Sequence, residues 1–223
     1  MHSTAFTRAT QERTLAERIA RELAAEIVSG AIAPGGRLRQ EELALRFGVS
    51  QGSVREALRA LVADDLVTIE PHRGARVREF QAREIREVLE LRVLLECEAL
   101  RLAFPALRAG DLSDATAVAD AIDRLKSPRR WTELNWQFHR ALYRAADRPL
   151  LFETIEKLHA DPRMAMLHHA VTVDVRRSNR EHRAILRAVE AGSADDAVRR
   201  LRDHIGVTSP QLRKRLSEME GLR

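Results

Sequence analysis

From Pro34 to Val77 the chain reads PGGRLRQEELALRFGVSQGSVREALRALVADDLVTIEPHRGARV, and within that stretch its apolar residues pass from helical to alternating spacing. Leu43, Ala44 and Phe47 predict a short helix over Gln40 to Phe47 with one buried face. Gly48 can take the left-handed conformation that ends a helix, Val49 fills the corner, and Ser50 is placed to cap the next helix. So short a turn forces the two helices to cross steeply. The second, from Gln51 to about Asp64, buries Val54, Ala57, Leu58 and Leu61 and leaves Gln51, Gly52, Ser53, Arg55 and Arg59 near its open face and start. Val67 to Ile69 and Ala75 to Val77 alternate as two strands joined through Pro71-His72-Arg73-Gly74. Helix, tight turn, helix and basic hairpin in this order are a winged helix-turn-helix. The open side chains are types that read the major groove, and a hairpin tipped with His72 and Arg73 suits a phosphate backbone or a narrow minor groove.

Four ordered blocks resemble the DNA-binding domain of the GntR family of bacterial transcription regulators: Pro34-Gly35-Gly36-Arg37-Leu38, Gly48-Val49-Ser50, Val54-Arg55-Glu56-Ala57-Leu58 and Gly74-Ala75-Arg76-Val77. The resemblance implies that Arg55 is a DNA-contacting arginine of the recognition helix and Gly74 the glycine of the wing. The chain departs at Gln51-Gly52-Ser53, where the family commonly carries Arg, Thr and Pro. Gln pairs bidentately with adenine where Arg prefers guanine, so the expected operator differs from the usual half-site. The expected DNA-facing set is Arg39, Ser50, Gln51, Gly52, Ser53, Arg55, Arg59, His72, Arg73, Gly74 and Arg76. Net charge adds little: the chain carries +5, yet acidic and basic side chains nearly balance over residues 1–79. Placement decides, because the arginines cluster in the segments expected to face DNA.

At 223 residues the chain is long enough for two domains. A DNA-binding domain over 1–79 leaves 80–223 to bury a core of its own. No apolar run approaches the roughly 20 residues needed to cross a bilayer, and the N-terminus lacks an apolar signal core, so a cytoplasmic protein without a membrane partner is expected. Cys97 is the only cysteine and reads as core. A first helix is predicted from Thr10 or Thr14 to about Ser29. From Ala82 onward six helices are predicted: Ala82 to Pro105, Leu112 to Leu125, Arg130 to Ala146, Leu150 to about Ala170 with a kink or break at Asp161-Pro162, Val173 to Ala191, and Ala194 to Met219 with a bend at Pro210. The fold class is therefore mainly α, a winged helix-turn-helix followed by an all-helical antiparallel bundle.

That second half resembles the FCD effector domain of the FadR subfamily of GntR regulators. Leu91-Arg92 with Glu96, the run Asn135 to Leu142, Glu181-His182-Arg183-Ala184-Ile185, and Ala188, Gly192, Ala197 and His204 carry the likeness. Asn135 and His139 stand at i, i+4 on one helix face. His182 and His204 lie nearly equidistant from the Gly192-Ser193 turn, so an antiparallel hairpin brings them level. His139 completes a set suited to Zn, Ni or Mn, the alternative being a metal-free polar pocket. The resemblance implies an acidic residue with three histidines as metal ligands. Asn135 stands where the acid would be, so the expected ligand set is Asn135, His139, His182 and His204. A metal there attracts a carboxylate, with Arg92 as the cationic partner and Arg140 and Arg163 as weaker candidates; the expected effector is a small organic acid. His168 and His169 are assigned to a loop or pocket edge, and Glu181 is expected to face away from the histidines. The predicted function is a metabolite-responsive transcription regulator, in this family most often a repressor, acting as a homodimer on a pseudo-palindromic operator rather than as an enzyme. A metal-responsive regulator, a metal-dependent hydrolase and a structural DNA binder are the alternatives.

Overall fold

The computed structural model describes residues 3–70, 74–125, 130–170, 174–206 and 210–221. The chain divides into two compact units, Met1–Phe80 and Gln81–Arg223.

The first unit opens with α1 (Ser3–Val28), which begins well before the predicted start and lays Ile19, Leu23 and Ile27 against α3 (Gln51–Ala63). Between them, α2 (Gln40–Phe47) ends at Gly48, whose φ of 64° is the left-handed conformation the tight turn requires. Ser50 then caps α3, its Oγ accepting from the Ser53 amide at 3.2 Å. Val54, Ala57, Leu58 and Leu61 form the buried stripe of α3, as their spacing predicts. Behind it lie β1 (Arg37–Leu38), β2 (Val67–Glu70) and β3 (Gly74–Val77), in one antiparallel sheet of order β1-β3-β2. Strand β1 is an addition to the predicted hairpin: Arg37 pairs with Arg76 and Leu38 with Ala75, which ties the segment before α2 to the wing. Two residues cannot announce a strand by alternation.

The second unit is helical throughout its described residues. It comprises α4 (Ala82–Ala103), α5 (Ala109–Asp123), α6 (Trp131–Tyr143), α7 (Pro149–His159), α8 (Pro162–Ala170), α9 (Val175–Glu190), α10 (Ala194–Ile205) and α11 (Pro210–Gly221). Eight helices therefore stand where six were predicted. Each extra one starts at a proline: at Pro162 the expected kink or break is a break, and at Pro210 a new helix starts where a bend was expected, because the ring removes a backbone donor and clashes with the preceding turn. His168 and His169 lie within α8, not in a loop. Helix α4 runs through the middle of the bundle, packed against α6, α7, α8 and α10. Leu100, Phe138, Leu142, Ile155, Ile185 and Leu201 make the core, and Cys97 lies within it.

Helices α6 and α9 run in the same direction. Val175, the first residue of α9, packs against the cluster that Trp131 and Leu134 in the first turn of α6 form with Ile122 of α5. Farther along both helices, Phe138 stacks on His182 with ring centroids 4.1 Å apart.

Candidate functional site

On the first unit, Gln51 and Arg55 are exposed one turn apart on α3, and no hydrogen bond or ion pair holds either among the described residues. Arg59 is exposed but leans on Glu56 at 2.7 Å, and Arg39 on Glu42 at 3.0 Å. Arg76 donates to the Gly35 carbonyl at 3.2 Å and so braces the base of the wing. Gly74 has φ 80°, and a Cβ there would meet nothing within 4 Å, so the glycine serves the backbone conformation and not a close contact. At Gly52 a Cβ would meet only the Ser50 Oγ, at 3.5 Å. Ser53 corrects the expected open face: it is 7% exposed, and its Oγ lies 3.0 Å from that of Ser50. It falls one residue before Val54, on the flank turned toward the helix-turn-helix corner. His72 and Arg73 lie outside the described residues.

In the second unit, a buried polar network spans five helices. Glu96 of α4, fully buried, is its centre. Its Oε1 accepts from Arg92 Nε at 2.8 Å and lies 3.1 Å from His159 Nε2 of α7, which is also 3.1 Å from the Arg92 guanidinium. Its Oε2 accepts from the Tyr143 hydroxyl at 2.8 Å, and that hydroxyl lies 3.0 Å from His139 Nδ1. Burial pushes the Glu96 carboxyl up, but the Arg92 guanidinium and the bond from His159 outweigh it and hold the group well below the usual carboxylate range. Tyr143 therefore spends its proton on an ionised carboxylate and must accept one from His139 Nδ1. The His139 Nε2 is left bearing its lone pair, buried and without a partner among the described residues.

The α9–α10 hairpin repeats the device. His204 Nδ1 lies 2.9 Å from the Glu181 carboxylate, which can only accept once ionised, so His204 donates to it through Nδ1 and turns its Nε2 inward. Burial pushes the Glu181 carboxyl up, but the bonds from His204 and Arg177 outweigh it and hold it below its ordinary value. His182 Nε2 faces His204 Nε2 at 3.1 Å, which shows that the two histidines do come level across the turn. Glu181 is a correction: one position from His182 on α9, it reaches His204 on α10, packed alongside, with a third of its side chain still exposed. Burial pushes the His139 and His182 imidazoles well below their ordinary value, and so holds them neutral.

His139, His182 and His204 offer ligand atoms within 4.8 Å of one another. Nitrogens bonded to one tetrahedral ion at about 2.0–2.1 Å stand about 3.3 Å apart, close to the 3.1 Å between the two hairpin imidazoles. Outer nitrogens held by a phenol and a carboxylate, with the inner nitrogens turned toward one another, are what a metal ligand set needs, so the residues fit the group. Asn135, one turn before His139, is 5% exposed with Oδ1 unpartnered among the described residues. Arg92 adjoins this network through Glu96. Arg140 does not: one position past His139, it is turned out of the site and is exposed, 5.7 Å from the Phe152 ring. There it lines a separate surface cleft of about 540 Å³ with Val118, Gln137, Phe152 and Glu156. Arg163 is also elsewhere, donating to Asp161 at 2.8 Å and facing Glu84 and Glu87 near the start of α4. The residues missed in the sequence as parts of this network are His159, Tyr143 and Glu181. Only Tyr143 left a signal there, its i+4 spacing from His139.

Residues 15–77 match the family model described as bacterial regulatory proteins, gntR family, and residues 87–207 match the FCD domain. The HTH-type transcriptional regulator BphR of Paraburkholderia xenovorans (strain LB400) is 32% identical over 212 residues, covering 86% of this chain and 83% of that protein. The HTH-type transcriptional repressor RspR of Escherichia coli (strain K12) is 29% identical over 205 residues, covering 89% of each. A crystal structure of a GntR family transcriptional regulator from Pseudomonas syringae pv. tomato str. DC3000 superposes with a TM-score of 0.53 at 28% identity, over 94% of this chain and 88% of that one. The family and these relatives are transcription regulators, not enzymes. Among the described residues no helix is long and apolar enough to cross a membrane. By its family matches and its fold, the chain belongs to the GntR family of DNA-binding transcription regulators, with an FCD domain as its second unit.

Proposed function

We propose that this regulator is a repressor which binds a pseudo-palindromic operator as a homodimer in the cytoplasm, and which a small carboxylate releases or retunes from a metal-bearing helical site. The observation that carries the reading is the convergence of three imidazoles whose outer nitrogens, on His139 and His204, are already held by Tyr143 and Glu181. His139, His182 and His204 hold a divalent ion of the Zn, Ni or Mn class. When bound, that ion supplies a Lewis acid that takes an anionic oxygen. Arg92, fixed by Glu96, adds positive charge beside the same network and orients an entering carboxylate.

On DNA, Gln51 and Arg55 reach base edges from the open face of α3, while Arg39, Arg59, Arg76 and the backbone at Gly52 and Gly74 meet phosphates. His72 and Arg73, outside the described residues, are the further candidates for contact with the backbone or minor groove. Ser50 and Ser53 shape the start of the reading helix. One such helix covers too few base pairs to define a site in a genome, and a dimer doubles them. The effector must bind the operator-competent and the released states with different affinity, since equal affinity shifts nothing.

Fluorescence anisotropy of the purified protein against DNA from its own upstream region and against scrambled DNA, near physiological salt, tests the reading. The expected result is tight binding to the former alone, altered by one member of a panel of small organic acids and by chelator. Metal alone changing DNA affinity, with no acid doing so, would replace the effector reading with a metal-responsive one. Equal weak binding to both DNAs would remove the operator claim for that region.

A further inference from the structure

The surface cleft of about 540 Å³ beside Arg140 lies outside the histidine network and shares only Tyr143 with it. Val118 of α5, Ala141 of α6 and Phe152 of α7 give it an apolar floor. Most of the charged side chains around that floor are already paired: Arg144 with Asp111 and Asp114, and Glu153 with Lys157. Asp147 and Arg148 are neighbours in the turn before α7, where Arg148 donates to the Asp147 carbonyl at 3.3 Å, so their charges offset locally. Arg140 and Glu156 remain. Both are exposed, and neither makes a hydrogen bond or ion pair among the described residues. Arg140 instead lies over Phe152, its guanidinium carbon 5.7 Å from the ring centre. Glu156 stands at i+4 from Phe152, on the same face of α7 and about 6 Å farther along it.

A cation and an anion left single above an apolar floor, one helical turn apart, are complementary to a small molecule that carries both charges and an apolar chain. The volume falls within the roughly 300–1,000 Å³ of small-molecule sites. With a charge-assisted hydrogen bond of about 2.8 Å at each end, a carboxylate and an ammonium on one carbon bridge groups about 6 Å apart. We propose that the cleft binds an α-amino acid with an apolar side chain, its carboxylate on Arg140, its ammonium on Glu156 and its side chain on Val118, Ala141 and Phe152. An acid without the amine leaves Glu156 single, and an amine without the carboxylate leaves Arg140 so, which makes the cleft selective for the zwitterion. The occupant lies beside Tyr143, whose hydroxyl bonds Glu96 and faces His139, so the cleft gives the regulator a second small-molecule input from outside the bundle. The site uses no metal and none of the candidate metal ligands.

Isothermal titration calorimetry on the full-length protein, with chelator present, compares L-leucine with 4-methylpentanoate and 3-methylbutylamine, which are leucine without its amine and without its carboxylate. Leucine is expected to bind about three- to tenfold tighter than either, a modest margin because water already serves charges at an exposed rim. Arg140→Gln should bring leucine down to the level of the amine, and Glu156→Gln to that of the acid. Both side chains are exposed, so the melting temperature should stay as it is in each variant. Losing the contribution of one ligand charge and keeping the other is a split that a disturbed fold would not produce. Equal affinities for the three probes overturn the proposal, as does binding of none at millimolar concentration. A preference for leucine that survives both substitutions places the amino acid elsewhere and overturns it too.

Discussion

Glu96 holds three partners, Arg92, His159 and Tyr143, from one carboxylate, and its replacement has a definite consequence. Arg92 is 5% exposed and would be left with a buried charge facing only His159. Breaking a buried ion pair from one side costs about 3–5 kcal/mol, whereas replacing both partners with apolar residues of similar volume is often neutral. Glu96→Leu is therefore expected to lower the unfolding free energy of the second unit by that amount in urea titration. Arg92→Met with Glu96→Leu should recover a good part of it, less than all, because Tyr143 and His159 lose an acceptor too. A double variant as unstable as the single one would show that the ion pair is not the main term.

At the scale of elements, the caps of the helix-turn-helix were legible in the sequence because each rests on neighbours in the chain: Gly48 closing α2, and Ser50 capping α3. Replacing an N-cap serine with alanine costs about 1 kcal/mol, so Ser50→Ala should lower the midpoint of the first unit by that measure in thermal melting. The levelling of His182 with His204 was legible for a similar reason, since a hairpin maps distance from its turn onto height. His159 was not, because α7 reaches Glu96 by tertiary packing that no spacing encodes, and the two-residue β1 was too short for any period. Glu181 was misread because its helix face was judged without the helix packed beside it.

The same histidine-bearing elements set a pH dependence. In the unfolded chain, imidazoles titrate at about 6.5, while burial keeps His139 and His182 neutral in the fold. Below that value the unfolded chain takes up protons that the fold refuses, so stability is full above about pH 6.5 and falls as the pH drops through it. Glu96 adds to the loss at lower pH, since its stabilisation is full above the unfolded carboxyl value of about 4.3 and disappears as the pH falls toward its depressed folded value. Melting temperatures measured without metal from about pH 8 to about pH 5 should be flat at first and then decline. A flat profile to pH 5 would mean that the imidazoles protonate in place.

Over the whole molecule, the candidate ligands come from α6, α9 and α10, so the set exists only when the second unit is folded, and whatever binds it binds the native state alone. At about a hundred times its dissociation constant a metal stabilises the fold by about 2.7 kcal/mol. Zinc should raise the melting temperature of the wild type and fail to do so for His204→Ala; an equal rise in both would place the metal elsewhere. Another whole-molecule consequence follows from Cys97. This chain's sole thiol is 5% exposed, its Sγ is 3.7 Å from the Val198 carbonyl, and burial pushes its pKa up. A thiol so placed cannot meet its counterpart on a second copy, so any pairing of two chains is noncovalent and reversible. Adding or removing a reductant should therefore leave any association of two chains unchanged, which sedimentation with and without reductant checks.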